Sequence, residues 1–291
     1  MNNCLFNHMK SHNNIPLQIK KTEKSLNKEN PDLGKKFGKL MDLIKEYKSG
    51  IVAFSGGGDS SLLALLGHHL LVKSLCVTAD SPTLPRSELS EAKKFAKQYH
   101  LDHRVVLYNE LEDENFVKND EKRCFICKNG LFKILNDIKE REGYDCVMDG
   151  SNFDDLNDFR PGRKAAEKNN VISPFEEAEL GKEEIRIISR KLDLSNWDKP
   201  QMACLSSRFP RNVRINKEDL KKVERAEELI KKVGYKDVRV RFHNEIARIE
   251  LGRDEKIDLN KLRNLVPKIK KLGFKYITLD LEGYRTGSLN E

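Results

Sequence analysis

The segment Ser55-Gly56-Gly57-Gly58-Asp59-Ser60 stands between a short apolar run, Ile51-Val52-Ala53-Phe54, and an apolar helix-forming stretch from Ser61 to Val72. A strand that ends in glycines and opens at once into a helix predicts a βα unit whose turn lets the backbone approach a phosphate closely. The N–H groups of the helix start then face the anion. The helix dipole contributes only about 0.3 to 1 kcal/mol per charge at an exposed site, so several aligned N–H and hydroxyl donors must share the task. Ser55 and Ser60 supply the hydroxyls. A Walker loop would carry GxxxxGK[ST], with its lysine on the β- and γ-phosphates, and this turn holds no lysine. The alternative is an ordinary glycine turn capped by Ser55 and Asp59; the strand before it and the helix after it argue against that reading.

The same alternation continues along the chain. Leu33 to Tyr47 reads as a helix, Ser74 to Ala79 as a strand, Ser87 to Tyr99 as a helix, and Arg104 to Leu107 and Tyr144 to Met148 as strands. Strands alternating with helices imply an α/β fold with a parallel sheet covered on both faces and a site beyond the carboxyl ends of its strands. A helix from about Lys182 to Leu192 closes this part, and Trp197-Asp198-Lys199-Pro200 reads as a connecting segment. Beyond it come a helix (Asn216 to Val233), strands (Val238 to Phe242 and Ala247 to Leu251), a helix (Leu259 to Leu272) and a strand (Tyr276 to Leu281). The expected division is a polar arm over 1–32, a nucleotide-binding α/β domain over 33–199 and a small α+β domain over 200–291.

Of the 291 residues, 34% are charged and 38% hydrophobic, and runs such as Leu62 to Leu66 are far too short to span a bilayer. The arm lacks the apolar core and cleavage site of a secretory signal, which predicts a cytoplasmic protein. A net charge of +8 would allow a polyanionic partner, but the 46 acidic residues are interspersed with the 54 basic ones. That pattern describes solvated helix faces and argues against nucleic acid as the main substrate.

The loop resembles the PP-loop of ATP pyrophosphatases, and three further stretches narrow the resemblance. These are Arg123-Cys124-Phe125-Ile126-Cys127-Lys128, then Asp149-Gly150-Ser151-Asn152-Phe153-Asp154-Asp155 with Arg160-Pro161-Gly162, then Lys199-Pro200 leading into Ala203-Cys204-Leu205-Ser206-Ser207-Arg208. Together they resemble the LarE family of ATP-dependent sulfur transferases, from about residue 33 to the carboxyl end. Gly58, at a position often occupied by Val in relatives, is the one visible departure. The resemblance implies an enzyme that adenylates the carboxylates of pyridinium-3,5-biscarboxylic acid mononucleotide and converts them to thiocarboxylates for nickel-pincer nucleotide biosynthesis. It implies ATP cleaved to AMP and pyrophosphate, with Ser55, Gly56, Gly57, Gly58, Asp59, Ser60 and Asp154 on the nucleotide and Asp59, Ser60 and Cys204 in catalysis. It also implies Mg²⁺, sulfide or another sulfur donor, and a homo-oligomer. A carboxylate becomes a useful electrophile only once AMP makes its oxygen a leaving group. Two rivals are a PP-loop tRNA thiolase and a nonenzymatic nucleotide- or cluster-binding module.

Six cysteines separate into groups. Cys76 and Cys146 lie in predicted strands and read as small hydrophobes, and Cys4 is incidental in the arm. Cys124 and Cys127 form a CxxC flanked by Arg123 and Lys128, and Cys204 precedes Ser206, Ser207 and Arg208, so all three lie near groups that favour thiolate. A structural zinc site wants four protein ligands, whereas three thiolates could hold a [4Fe-4S] cluster with one iron open. In the LarE resemblance, members with only the cysteine matching Cys204 sacrifice its sulfur, while those with all three resemble cluster-dependent members. A cluster, a persulfide or sacrificial Cys204, and zinc all remain open at this point. Asp149, Asn152, Asp154 and Asp155 could bind Mg²⁺ or the ribose and amide groups of ATP, or act only as caps. Arg239 and Arg241 alternate with Val238 and Val240 and so share one face of a strand. By resemblance to the family's RVR motif they are assigned, with Arg208, to the substrate phosphate or to a subunit contact, with Glu227 and Asp258 as possible partners; a salt-bridged sheet surface is the other reading.

Overall fold

Val52, Cys76, Cys146 and Met148 are buried in one apolar cluster, and Ile51, Leu75, Val77 and Val147 in another. Alternate residues of the same short strands therefore enter two cores, the two-sided burial that parallel sheets require. The computed structural model describes residues 14–157, 161–200 and 203–285. Its larger sheet contains β1 (Ser49–Ala53), β2 (Lys73–Asp80), β3 (His103–Leu107) and β4 (Cys146–Met148), all parallel, in the order β3-β2-β1-β4. The chain runs outward from β1 through β2 to β3 and then returns to the far side of β1. That reversal makes the carboxyl ends of β1 and β4 a topological switch point, where such sheets place ligands.

Helices α1 (Ile15–Glu29), α2 (Pro31–Lys45), α3 (Gly58–Leu70), α4 (Arg86–Gln98), α5 (Arg123–Glu142) and α6 (Lys182–Lys191) surround this sheet. All but α5 contribute to the first cluster, while Phe132, Leu135 and Ile138 of α5 join the second. Residues 60 to 67 of α3 are buried without interruption, as expected of a helix apolar on every side. Residues 15 to 29, expected within a polar arm, form α1 and bury Ile15, Ile19, Thr22 and Leu26. Lysines between these positions hide the one-sided spacing in the sequence. Gly34 lets α2 cross α1 closely, since a Cβ there would lie 2.7 Å from the Asn27 backbone nitrogen. Cys4 and Arg160 lie outside the described residues.

The chain divides into two units. The first comprises Met1–Asp80, Arg86–Tyr108 and Cys124–Met202, and the second Ser81–Pro85, Asn109–Arg123 and Ala203–Glu291. The second unit thus contains two segments from the middle of the chain in addition to its carboxyl-terminal part, a feature that a single cut near residue 200 omits. Its sheet joins β5 (Val238–His243) antiparallel to β6 (Ile246–Leu251), and β6 parallel to β7 (Tyr276–Leu279). Helix α7 (Lys217–Lys232) buries Leu220, Val223, Ala226 and Ile230, with Val238 and Val240 of β5 also fully buried. The helix expected over 259–272 is two short ones, Leu259–Arg263 and Val266–Lys270, because Pro267 can open a helix but cannot continue one. No helix among the described residues is long and apolar enough to cross a membrane.

Docking of α1 onto the first core is testable through Leu26, which is 1% exposed. Leu26→Ala is expected to lower stability by about 2 to 5 kcal/mol in denaturant unfolding. A loosely attached arm would show no change.

Candidate active site

Gly56 and Gly57 form the turn between β1 and α3, and Gly56 takes a φ of +75°. A Cβ at Gly56 would lie 2.8 Å from the Cβ of Ala92, so both conformation and space require glycine there. Gly57 is the N-cap of α3. The Ser60 hydroxyl donates to Gly57 O (3.1 Å) and meets Ser55 Oγ at 3.0 Å. Gly57 N donates to Ser55 Oγ (3.3 Å). Both serines are thus held at the mouth of the helix amino terminus, an arrangement suited to a phosphate. The expected loop residues Ser55, Gly56, Gly57, Gly58, Asp59 and Ser60 are brought together.

Two residues missed as site residues hold this loop from outside. Asn196 Nδ2 donates to Gly56 O (3.3 Å) and Ser61 Oγ (2.8 Å), and Lys199 Nζ donates to Gly56 O (3.2 Å). The Lys199 ammonium also lies 2.7 Å from both Glu88 and Glu91. Burial works to push its pKa down, but the two carboxylates outweigh it and leave the pKa raised. The sequence signal was the Lys199-Pro200 pair, read above as part of a connector and of the third motif stretch but not as a support for the loop.

The loop after β4 forms the other wall. A Cβ on Gly150 would sit 3.0 Å from Ser60 N, so this backbone abuts the first turn of α3. Asn152 Nδ2 donates to Asp59 Oδ2 (2.9 Å), while Asn152 Oδ1 is buried without a hydrogen-bond partner. Asp149 accepts from Ser151 Oγ (2.8 Å) and Ser173 Oγ (2.7 Å) and meets Lys128 Nζ at 3.4 Å. Asp155 accepts from Asn152 N (3.3 Å). Asp154, expected on the nucleotide, accepts instead from Lys182 N (2.7 Å) at the start of α6, the capping alternative. Asp59 is half-buried, and desolvation raises its carboxyl pKa against the lowering effect of the Asn152 hydrogen bond.

In the second unit, Cys204 precedes a short 3₁₀ turn, Leu205–Arg208, and its Sγ lies 2.9 Å from Ser206 Oγ. The turn is tied down on several sides. Leu205 N donates to Thr83 O (2.8 Å), Arg123 Nη1 to Ser206 O (3.0 Å), and Arg208 Nη1 to Ala203 O (2.7 Å) and Cys204 O (3.1 Å). Arg208, expected at a substrate phosphate, is 0% exposed and forms a two-pronged pair with Glu227. A sealed guanidinium clamps its own loop instead. Asn119, missed in the sequence, is 0% exposed at a φ of +58° and donates to Pro210 O (2.7 Å) and Val213 O (3.1 Å).

Arg239 and Arg241 share a face as expected, but their partners differ from those expected. Arg241 pairs with Glu250 and donates to Ser207 O (2.9 Å), and Arg239 meets Asp237 at 3.3 Å. Both guanidinium groups lie against the Tyr284 ring. Glu227 serves Arg208 and Val240 N, and Asp258 caps the helix at Leu259. These contacts favour the salt-bridged reading for Arg241.

Cys124 and Cys127 occupy the first turn of α5, three residues apart and so on neighbouring positions of one helix face. Neither these nor Cys204 is in a disulfide. Among the described residues no group of three or more His, Cys, Asp or Glu side chains is arranged to hold a metal ion. Cys76 and Cys146 are buried, and burial pushes both thiols up to about 12, in keeping with their reading as structural hydrophobes.

The raised carboxyl of Asp59 gives a pH prediction. A group whose folded pKa exceeds its unfolded value destabilises the fold increasingly as pH rises from the unfolded value through the folded one. Asp59→Asn keeps an acceptor for Asn152 and removes the buried charge. Its melting temperature is expected to exceed that of the wild type at pH 7, with the gain vanishing near pH 3.5; an equal shift at both pH values would show that the charge is not responsible.

No family model matches the chain. It is 40% identical over 262 residues to an uncharacterised protein of Synechocystis, covering 89% of this chain and 98% of that one. An uncharacterised protein of Methanocaldococcus jannaschii is 36% identical over 255 residues, covering 87% and 98%. The pyridinium-3,5-bisthiocarboxylic acid mononucleotide synthase of Lactiplantibacillus plantarum is 33% identical over 262 residues, covering 89% of this chain and 95% of the synthase. A likeness of that extent, over nearly nine-tenths of the chain, makes this chain a member of the LarE family.

Proposed function

We propose that the protein uses ATP to adenylate the carboxylates of pyridinium-3,5-biscarboxylic acid mononucleotide and replaces the activated oxygen with sulfur, supplying nickel-pincer nucleotide biosynthesis. The observation that carries this reading is the lysine-free Ser55–Ser60 nest at the switch point of the sheet, in a chain related to the synthase over nearly its whole length. In the first step a carboxylate oxygen attacks the α-phosphorus, and pyrophosphate leaves with the electron pair of the broken P–O bond. Ser55, Ser60 and the first N–H groups of α3 hold the departing phosphates. Asp59 is the candidate to meet Mg²⁺, whose charge would screen them. In the second step a sulfur nucleophile attacks the activated carbonyl carbon and AMP leaves.

In this reading Cys124, Cys127 and Cys204 would supply the thiolates of a [4Fe-4S] cluster; all three are outside disulfides, and Cys124 and Cys127 lie three residues apart on α5. When bound, such a cluster keeps one iron open for an exchangeable sulfide. Cys204 is held by the Ser206 hydroxyl and a clamped backbone, which fixes the direction of its sulfur. Sulfide or another small sulfur donor replenishes the sulfur, and the assembly is a cytoplasmic homo-oligomer.

Incubation with ATP and the biscarboxylate mononucleotide is expected to yield AMP and pyrophosphate, without stimulation by tRNA. ADP and phosphate as stoichiometric products would sink the proposal, and tRNA-dependent pyrophosphate release would favour a tRNA thiolase. Ser60→Ala should slow pyrophosphate release by about 100-fold, as expected when one pre-aligned donor is lost. Anaerobically purified protein should contain iron and acid-labile sulfide. Ala at Cys124, Cys127 or Cys204 should abolish both the cluster absorbance and sulfur transfer while sparing adenylation. Normal transfer by the Cys124 and Cys127 variants would leave Cys204 acting alone.

A further inference from the structure

We propose that His103 and Thr78 are positioning residues for the phosphate loop, joined in a proton-ordered relay that runs from the imidazole through the Thr78 hydroxyl to the carbonyl of Phe54. The proposal rests on the adenylation reading and adds to it the means by which the entrance of the loop is oriented. Phe54 is the last residue before the loop, and its amide continues the ladder one step beyond β1 by donating to Val77 O (2.9 Å). Its carbonyl accepts from Thr78 Oγ1 (2.7 Å), and Thr78 Oγ1 lies 2.8 Å from His103 Nε2. Cys76 is the register partner of His103 across β2 and β3, so Thr78, two residues on, shares the sheet face on which His103 stands.

The donors and acceptors allow one order only. Phe54 O can only accept, so the single hydrogen of the Thr78 hydroxyl points to it. Thr78 Oγ1 must then accept from His103, which requires a hydrogen on Nε2. Burial, with Lys93 nearby, lowers the His103 pKa and favours the neutral ring, so the tautomer is Nε2–H with Nδ1 bare. The imidazole also stands edge-on to the Phe54 ring, 5.5 Å between centres and 89° between planes. The relay reaches the loop through one peptide unit, because Phe54 O and the Ser55 N–H lie in one plane and point opposite ways. Holding the carbonyl on Thr78 thus aims the Ser55 amide at Ser60 Oγ, to which it donates (3.3 Å). Ser60 in turn passes its own hydrogen to Gly57 O (3.1 Å). Asn196 and Lys199 hold the carbonyl of Gly56, while Thr78 and His103 hold the peptide that enters the turn. Thr78 and Phe54 are both sealed from solvent, so water cannot stand in for either partner. Charge accumulates on the departing pyrophosphate as the P–O bond breaks, so a misaimed serine is felt more in the transition state than on binding.

Histidine labelled with nitrogen-15 in the ring reads the tautomer directly in the whole protein, the His103 signals being identified by their loss in His103→Gln. Wild type is expected to show a protonated Nε2 and a bare Nδ1 at neutral pH; an Nδ1–H ring would reverse the order of hydrogens and overturn the proposal. Thr78→Val keeps the branched shape and removes the hydroxyl. It is expected to lower kcat for pyrophosphate release about 10-fold while KM for ATP changes by less than about threefold, and Thr78→Ser should recover most of the loss. His103→Leu should reproduce part of the loss, and His103→Gln, whose side-chain amide can offer an N–H in place of Nε2–H, should reverse it. Unchanged kcat in Thr78→Val, or a loss that Thr78→Ser fails to recover, overturns the relay. Should Thr78→Val not fold, the tautomer and the two His103 variants carry the test. Wild type that makes no pyrophosphate refutes adenylation itself, whereas the tautomer is read without turnover. Active wild type with an Nδ1–H His103, or with a Thr78→Val variant of normal kcat, refutes the relay alone.

Discussion

Gly56 O accepts from both Lys199 and Asn196, while the same peptide unit carries the Gly57 N–H on its opposite side. Fixing the carbonyl therefore fixes the amide, which donates to Ser55 Oγ. Ser55 Oγ meets Ser60 Oγ, and the Ser60 hydroxyl returns to Gly57 O, closing a ring of contacts around the start of α3. The positive φ of Gly56 and the contact with Ala92 leave this peptide little alternative. A nest preorganised in this way binds anions without first ordering its own backbone, and that saving is available to the transition state as well. The loop therefore depends on residues about 140 positions away, as much as on its own glycines.

The second unit uses buried charge for a comparable purpose. Arg208–Glu227 and Arg241–Glu250 are both nearly sealed, and each arginine also donates to carbonyls of the Cys204 loop or the residue beside it. Removing two charges from water offsets most of their attraction, so such pairs add little net stability. Breaking one is different: it leaves an uncompensated charge and costs about 3 to 5 kcal/mol. Their value lies in geometry. Arg208 spans from the carbonyls of Ala203 and Cys204 to Glu227 on α7, and Glu227 continues to Val240 N on β5. Cys204 thus stands at the head of a turn joined to the helix and sheet of its own unit by charge-assisted bonds.

The parts of this architecture that follow local rules were legible in the sequence. Ile51 to Phe54 ending in glycines gave the strand, turn and helix, and alternation gave the parallel sheet. Cys76 and Cys146 were recognisable as strand hydrophobes. Features set by distant packing were not. Helix α1 is one-sided only once Ile15, Ile19, Thr22 and Leu26 are aligned beneath intervening lysines. Arg208 resembled a phosphate ligand because sequence shows its charge and loop context but not Glu227, nineteen residues on. Asp154 looked like a nucleotide ligand, and its carboxylate accepts from the Lys182 amide 28 residues on, a partner that local sequence does not show. The Leu259 to Leu272 helix failed on Pro267, whose local signal was present and was outweighed by apolar spacing.

The acids around the switch point show why only some of them are suited to chemistry. Asp149 is balanced by two serine hydroxyls and Lys128, Asp154 by the amide of Lys182, and Asp155 by the amide of Asn152. Such carboxylates have much of their interaction satisfied before any ligand arrives, and a metal would have to displace what they hold. Asp59 receives the side-chain amide of Asn152, and burial raises its pKa despite that bond. It stands half-buried at the first turn of α3 with the Asn152 amide on one oxygen, so a divalent cation or a ligand donor can reach it without displacing a helix cap. The unpartnered Oδ1 of Asn152 lies on the same residue and adds a second acceptor in need of a partner. Poor satisfaction in the unliganded fold and usefulness in the liganded one have the same physical origin.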